Sequence, residues 1–295
     1  MFGNYSSTKD QTFGANLFNN QQVKYSSTDN KWAYENTKYW PTEGHIDFLA
    51  YAPYVGTPNF NGSSIDFTVE NNVAAQKDLL YAKADGQTMA NNSGTNKVKF
   101  QFKHALSRLG YSVKLKGTCS SDATITLKKI TLAGSAPEPT TGTTTESAKA
   151  FYTNGTIDLS AGIWEKHSAG AGKQDFINWF SVTQDVTSAS ESKPYKNPTS
   201  DYLFVIPQNF SEKIEDAGLQ KENPDKLYVI VEYDIHYKDI DKTITNKVYK
   251  QLTQEFEQGK AYTINLTLGL TPIEFDVTTV EGWTDINQVE INSWN

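Results

Sequence analysis

The sequence of 295 residues contains a single cysteine, Cys119. One cysteine excludes an intramolecular disulfide and a zinc site built from several thiolates. Arginine is equally scarce. Arg108 is the only arginine, and the rest of the 27 basic residues are lysines. Bidentate guanidinium recognition of phosphate or carboxylate groups therefore depends on one residue.

Long apolar runs and an excess of positive charge are also missing. No stretch of about 20 apolar residues is present, and the opening residues, MFGNYSSTKD, contain no apolar signal core. We expect that this sequence neither spans a membrane nor carries an export signal. The net charge of −7 argues against a nucleic-acid partner, because phosphate binding requires clustered lysine and arginine.

Catalytic motifs are missing as well, since the sequence has no GxSxG elbow, no HExxH helix and no P-loop. The histidines are far apart and show no ligand spacing: His45, His104, His167 and His236. We predict no catalytic residue, no cofactor and no metal, and we expect His104 to hydrogen-bond an interrupted strand ladder. An extracellular glycoside hydrolase is a further hypothesis. Such an enzyme needs two carboxylates at a set separation in a cleft, and the sequence does not identify that pair.

Acidic residues near position 240 allow two interpretations. Asp239 and Asp241 would project from one face of a strand and could share a calcium ion, with Asp234 nearby. The interpretation that we favour is a solvated hairpin end in which Lys238 and Lys242 balance the two acids, because neither EF-hand spacing nor a glycine turn is present.

The segment from Val98 to Leu115 carries the strongest pattern in the chain. Its apolar residues first occupy even positions and then odd ones: Val98, Phe100 and Phe102, followed by Leu109, Tyr111, Val113 and Leu115. A slip of one residue would move the buried set to the solvent face, so the chain must bulge or bend within Lys103 to Arg108. The pattern therefore predicts two strands separated by a kink.

Short apolar runs between turn residues continue along most of the chain, which is typical of β-sandwiches. The run YLFVI at 202–206 is continuously apolar, as in a strand covered on both faces, and 228–237 alternates cleanly. The best helical candidate is Glu212–Lys226. Residues 1–30 are polar, and they are expected to form a weak edge strand or to stay mobile.

The stretch GSAPEPTTGTTTES, at 134–147, has few apolar residues and two prolines, which indicates a linker or a long surface loop. We therefore predict an all-β chain with two β-sandwich domains in tandem, 1–135 and 136–295.

The bent segment resembles the signature of the fimbrillin family, the type V pilins and fimbrillin-like surface lipoproteins of Bacteroides-type bacteria. Further segments match the family pattern in the same order: Trp32–Pro41, Ile46–Pro53, Asp78–Ala84, and AYTINLTLGL with the trailing Gly282 and Trp283. The resemblance implies transthyretin-like sandwiches, an exported lipoprotein of the outer membrane and fimbrium, other pilin subunits as partners, and a role in adhesion rather than catalysis.

The resemblance also implies assembly by β-strand exchange, in which a protease removes an N-terminal strand and a neighbouring subunit supplies a replacement. The protease of the best-known members cuts after arginine, yet no arginine precedes Arg108. Either the sequence begins after the cut, another protease acts, or this member is not processed. The candidate exchange residues are Ile273, Phe275, Val277 and Val280. Because few residues follow them, we expect a tip, accessory or anchor subunit rather than a shaft subunit.

Aromatic residues suggest the alternative function, a surface lipoprotein that binds carbohydrate. Exposed rings stack on sugars or on protein partners, which could be host or bacterial surface glycans or proteins. Core packing is expected for Trp32 and Trp40. Trp164 and Trp179 flank a glycine-rich stretch, and for them ligand stacking and core packing both remain open.

Overall fold

A computed structural model describes residues 1–8, 12–93, 97–115, 122–134, 151–165, 176–186, 195–196, 201–210, 226–270 and 274–280. These residues form an all-β structure whose helical elements are two short 3₁₀ turns, at Val73–Ala75 and Ala90–Asn92. None of the helices in this part of the chain is long and apolar enough to cross a membrane.

The strands are numbered in chain order. Those before residue 135 are β1 (Phe2–Ser6), β2 (Lys24–Ser26), β3 (Lys31–Ala33), β4 (His45–Ala52), β5 (Phe60–Asn61), β6 (Ser64–Thr68), β7 (Leu80–Gln87), β8 (Lys103–His104), β9 (Ser107–Leu115) and β10 (Ala123–Ala133). The later ones are β11 (Asn154–Asp158), β12 (Ile163–Trp164), β13 (Phe176–Phe180), β14 (Gln184–Asp185), β15 (Tyr195–Lys196), β16 (Leu203–Val205), β17 (Gln208–Asn209), β18 (Leu227–Tyr237), β19 (Lys242–Leu252), β20 (Glu255–Phe256), β21 (Ala261–Leu268) and β22 (Glu274–Val280).

Four larger sheets contain most of these strands. Sheet I has the order β1-β4-β7-β8, and sheet II has the order β12-β11-β6-β5. Sheet III has the order β15-β9-β21-β22, with β16 also paired to β9, and sheet IV has the order β13-β10-β18-β19, with β14 paired to β10. Strands β9 and β21 run parallel, whereas β21 and β22 are antiparallel.

The buried side chains of the described residues form three clusters. Sheets III and IV share the largest cluster, to which alternating residues of β9, β10, β18 and β21 contribute. Sheets I and II share a second cluster, which includes Phe2, Leu49, Ile65 and Ile157. A smaller cluster around Phe48 lies on the other face of sheet I. This partition supports an arrangement of two sandwiches, because each larger cluster joins one pair of sheets.

The predicted kink lies where the sequence pattern placed it. Strand β8 ends at His104, and β9 begins at Ser107 in a different sheet. The odd-numbered residues of β9 are buried as expected: Leu109, Tyr111, Val113 and Leu115. The even-numbered half differs from the prediction, because 98–102 is not a strand, although Val98 and Phe100 still pack against the small cluster.

Strand pairing does not follow the predicted division into 1–135 and 136–295. β9 and β10, which precede residue 135, pair with β21 and β18. β11, which follows residue 135, pairs with β6. The linker-like stretch thus connects a strand of sheet IV to a strand of sheet II. Most of that stretch, and the helical candidate up to residue 225, lie outside the described residues.

Candidate assembly edges

Strand β22 lies at an edge of sheet III and contains three of the four predicted exchange residues. Its ladder with β21 places Phe275 opposite Leu266, Val277 opposite Ile264, and Val280 opposite Ala261. Ile273 lies outside the described residues. Since one ladder attaches β22 to the sheet within the described residues, its departure would leave β21 as an open edge there.

An open edge at β21 would bring water close to buried side chains of that strand. Its residues Tyr262, Ile264, Leu266 and Leu268 all belong to the largest core cluster, and each is at most 2 % exposed. An edge beside such a cluster requires a paired strand to keep water from the core.

Strand β1 lies at an edge of sheet I and inserts one large side chain into the second core cluster. Phe2 is 0 % exposed, and its ring stacks on that of Phe60 with a centroid distance of 3.8 Å. The ring of Tyr51 in β4 also stacks on Phe2, more loosely, with a centroid distance of 6.0 Å. Strand β1 thus closes this core from a sheet edge.

The outer edge of β1 is covered by the chain itself. Gly3 N donates to Phe18 O at 2.9 Å, and Leu17 N donates to Gly3 O at the same distance. The side chain of Asn16 makes the hydrogen bonds that a paired strand would make. Its Oδ1 accepts from Tyr5 N at 2.7 Å, and its Nδ2 donates to Tyr5 O at 3.0 Å. The backbone groups that could recruit another strand at Gly3 and Tyr5 are therefore already bonded.

The segment between β8 and β9 connects the two pairs of sheets through hydrogen bonds on both sides. Ala105 N donates to Leu79 O at 2.8 Å, next to sheet I, and Gly259 N donates to Leu106 O at 3.0 Å, just before β21. Ser107 Oγ donates to Glu257 O at 2.7 Å. The predicted kink is therefore a closely bonded crossing between sheets.

Trp164 lies at this crossing and not on an open surface. Its Nε1 donates to Ala105 O at 2.6 Å, and its partly buried ring packs against the second core cluster. Trp179 is 5 % exposed, its Nε1 donates to Asp201 O at 2.8 Å, and its ring meets Tyr111 edge-on. These contacts favour the core-packing interpretation for both rings.

Trp179 also borders an open cleft of about 740 Å³. Asn71, Asn72 and Val182 are among the residues that line the cleft, and Val182 is 68 % exposed. Because so little of the Trp179 ring reaches the surface, the cleft offers edge contacts rather than a stacking platform for a sugar.

The other aromatic predictions have mixed outcomes. Trp40 packs partly buried against the small cluster, as expected. Trp32 is half-buried and meets Tyr25 edge-on within the β2–β3 hairpin.

The acidic residues Asp239 and Asp241 lie in the turn that connects β18 to β19, and Asp241 has a φ of +48°. Asp241 Oδ1 is 3.6 Å from His236 Nε2, and Asp234 accepts from Thr245 Oγ1. Within the described ranges, no group of three or more histidine, cysteine or acidic residues could hold a metal ion.

His104 contacts the carboxylate of Asp78 beside the crossing. This partner is a side chain, whereas the sequence predicted a hydrogen bond to the interrupted strand ladder. Burial raises the pKa of Asp78 above its ordinary value of 3.8, although the attraction of His104 and, more weakly, of Arg108 opposes this shift. The folded state therefore binds this proton more tightly than the unfolded chain does.

We expect Asp78→Asn to change the pH dependence of stability. Because the folded pKa of Asp78 is raised, its contribution to the free energy of unfolding falls as pH rises from 3.8 through the folded pKa. The variant should gain stability relative to wild type over that range, measured by urea unfolding at successive pH values. Asp85→Asn, at a side chain 58 % exposed, is the control. Parallel wild-type and Asp78→Asn profiles would contradict this assignment.

The family is established by comparison with known proteins. A family model described as fimbrillin-like matches residues 1–283, so this chain belongs to the fimbrillin-like family. The fimbrium subunit Fim1C of Phocaeicola vulgatus ATCC 8482 is 29 % identical, with 90 % of this chain and 75 % of that protein aligned.

A solved structure shows the same fold. The crystal structure of a fimbrial protein from Bacteroides vulgatus ATCC 8482 superposes with a TM-score of 0.66 at 24 % identity. The superposition covers 92 % of this chain and 86 % of that one. The expected membership of the fimbrillin family and the expected all-β fold are both confirmed.

Proposed function

We propose that this chain is a structural, non-catalytic subunit of a fimbria, exported to the cell surface and joined to other subunits by β-strand exchange. Membership of the fimbrillin-like family supports the fimbrial role, and the resemblance to a fimbrium subunit supports surface location and partner subunits. The tip, accessory or anchor position and attachment to the outer membrane as a lipoprotein remain predictions.

The single observation that carries the exchange proposal is that the first and the last strand of the described residues both lie at a sheet edge. β1 inserts Phe2 into a core from one sheet edge, and β22 occupies an edge of sheet III. Burial of the Phe2 side chain alone is worth about 1.5 to 3 kcal/mol, a sizeable part of the roughly 5 to 15 kcal/mol stability of a whole domain. Binding of a substitute strand after loss of β1 would therefore be strongly favourable.

A peptide complementation experiment tests the exchange. One partner is a variant that lacks residues 1–22, and thus both β1 and the segment bonded to its outer edge. It is mixed with a peptide that spans residues 273–283. We expect the melting temperature to rise by several degrees and the rise to saturate with peptide concentration. A peptide carrying Phe275→Asp and Val277→Asp is the matched control. If the unaltered peptide gives no gain, this segment is not the donated strand.

The carbohydrate-binding alternative has weaker support, since the rings of Trp164 and Trp179 make contacts inside the fold. This alternative would be favoured by binding to a glycan array that disappears when Val182, which is exposed at the cleft, is substituted.

A further inference from the structure

The parallel ladder between β9 and β21 differs from the other strand pairs of the described residues, which are antiparallel. It runs through eight consecutive register pairs, from Arg108 opposite Ala261 to Leu115 opposite Leu268. The two strands therefore start at the same end of sheet III and finish together at the other end.

The common starting end is the crossing to sheet I. Arg108 N donates to Lys260 O at 3.0 Å, directly before the first register pair. β9 receives the chain from β8 of sheet I at this end, whereas β21 passes the chain on to β22 at the far end. A tensile force that enters through sheet I and leaves through Leu268 would thus pull the two strands in opposite directions along their own axes.

The ladder is also shielded from water. Alternating residues of both strands lie in the largest core cluster, and a side-chain bond crosses between the strands, because Ser112 Oγ donates to Asn265 Oδ1 at 2.6 Å. Strand β16 flanks β9 and strand β22 flanks β21. Water, the usual competitor for a stretched hydrogen bond, has little access to these groups.

We propose that the β9–β21 ladder is a mechanical clamp that resists tension along the fimbria. Under this pull the eight register pairs are loaded in shear, so their hydrogen bonds must break together. An antiparallel arrangement would apply the same pull at one end of the ladder and open it bond by bond. The proposal rests on the proposed function only for where the force enters, namely through the strands that join a subunit to its neighbours.

Single-molecule pulling on the isolated full chain tests the clamp without any partner subunit. Handles are attached at cysteines in a background with Cys119→Ser, which leaves no other thiol. Lys103→Cys with Leu270→Cys loads the ladder in shear, and both sites are exposed. Lys103→Cys with Lys260→Cys pulls on the common end and peels the strands apart.

We expect a rupture force several times higher in the shear geometry than in the peeling geometry. Equal forces, or a higher force on peeling, would overturn the clamp. Because the exchange peptide is not used, failure of the peptide experiment leaves this comparison intact, and failure here leaves strand exchange intact.

A pair of matched variants checks that the ladder itself is the barrier. Ser112→Ala removes the bond that crosses it and should raise the forced-unfolding rate in shear by roughly fivefold, the factor for one hydrogen bond. Thr131→Val removes another partly buried bond from a hydroxyl to an asparagine oxygen, to Asn178 in sheet IV, and should leave that rate nearly unchanged. An equal acceleration in both variants would overturn the assignment to β9 and β21.

Discussion

Phe2→Ala should lower the free energy of unfolding by about 3 to 5 kcal/mol, the range for deletion of a fully buried aromatic ring. Phe2 is 0 % exposed and stacks on Phe60 and, more loosely, on Tyr51 in the core that sheets I and II share. The substitution removes the stacked ring and leaves a cavity at a sheet edge. Urea unfolding followed by tryptophan fluorescence measures the change.

The control for Phe2→Ala is Ser7→Ala, because Ser7 is exposed and follows β1 directly. It should change the free energy of unfolding by less than about 0.5 kcal/mol. A loss below about 1 kcal/mol in Phe2→Ala would show that β1 contributes little to this core. It would also remove the energetic reason for replacing β1 with a strand from another subunit.

The bend near residue 105 shows what alternation can and cannot predict. Alternation reports which face of a strand is buried, so the change from even to odd positions placed the kink correctly. It does not report a pairing partner, and 98–102 has alternating apolar residues without a strand ladder. Val98 and Phe100 instead pack from an irregular segment against the small cluster.

The run at 202–206 was predicted more fully, because continuous apolarity has a direct physical meaning. Leu203 and Val205 contact the largest cluster, whereas Phe204 and Ile206 contact the second one. A strand with both faces covered needs apolar residues at every position. The sequence could not show that the two faces would meet different cores.

The division at residue 135 was inferred from composition, which identifies a long connection but not what it connects. The chain leaves β10 in sheet IV and returns to sheet II as β11 before it forms the rest of sheets III and IV. Non-local pairing of this kind leaves no local signal in a single sequence.

The hydrogen bonds along the outer edge of β1 were missed for a similar reason. Asn16 lies in a polar stretch that composition assigns to a weak or mobile segment, yet its side chain bonds both backbone groups of Tyr5. For Trp179 a usable signal existed, because Ile177 and Trp179 alternate with the exposed Asn178 in a short strand. That pattern favours the core over a binding surface.

Gly162→Ala should lower the free energy of unfolding by about 2 to 5 kcal/mol. Gly162 has a φ of +71°, which an L residue adopts only with strain, and an added Cβ would lie 2.2 Å from Tyr81 Oη. Gln258 Nε2 donates to Gly162 O at 2.8 Å and to Tyr81 Oη at 3.2 Å. The substitution would thus disturb contacts that join sheets I and II to the turn before β21.

Gly62→Ala separates the two causes of this effect. Gly62 has nearly the same φ, +68°, but an added Cβ would meet nothing within 4 Å. Its substitution should therefore show only the backbone strain, about 1 to 2 kcal/mol. The excess in Gly162→Ala measures the overlap with Tyr81, and thermal unfolding of the two variants side by side determines it. Equal losses would mean that the tyrosine ring moves away freely and that close packing between sheets at Gly162 contributes nothing to stability.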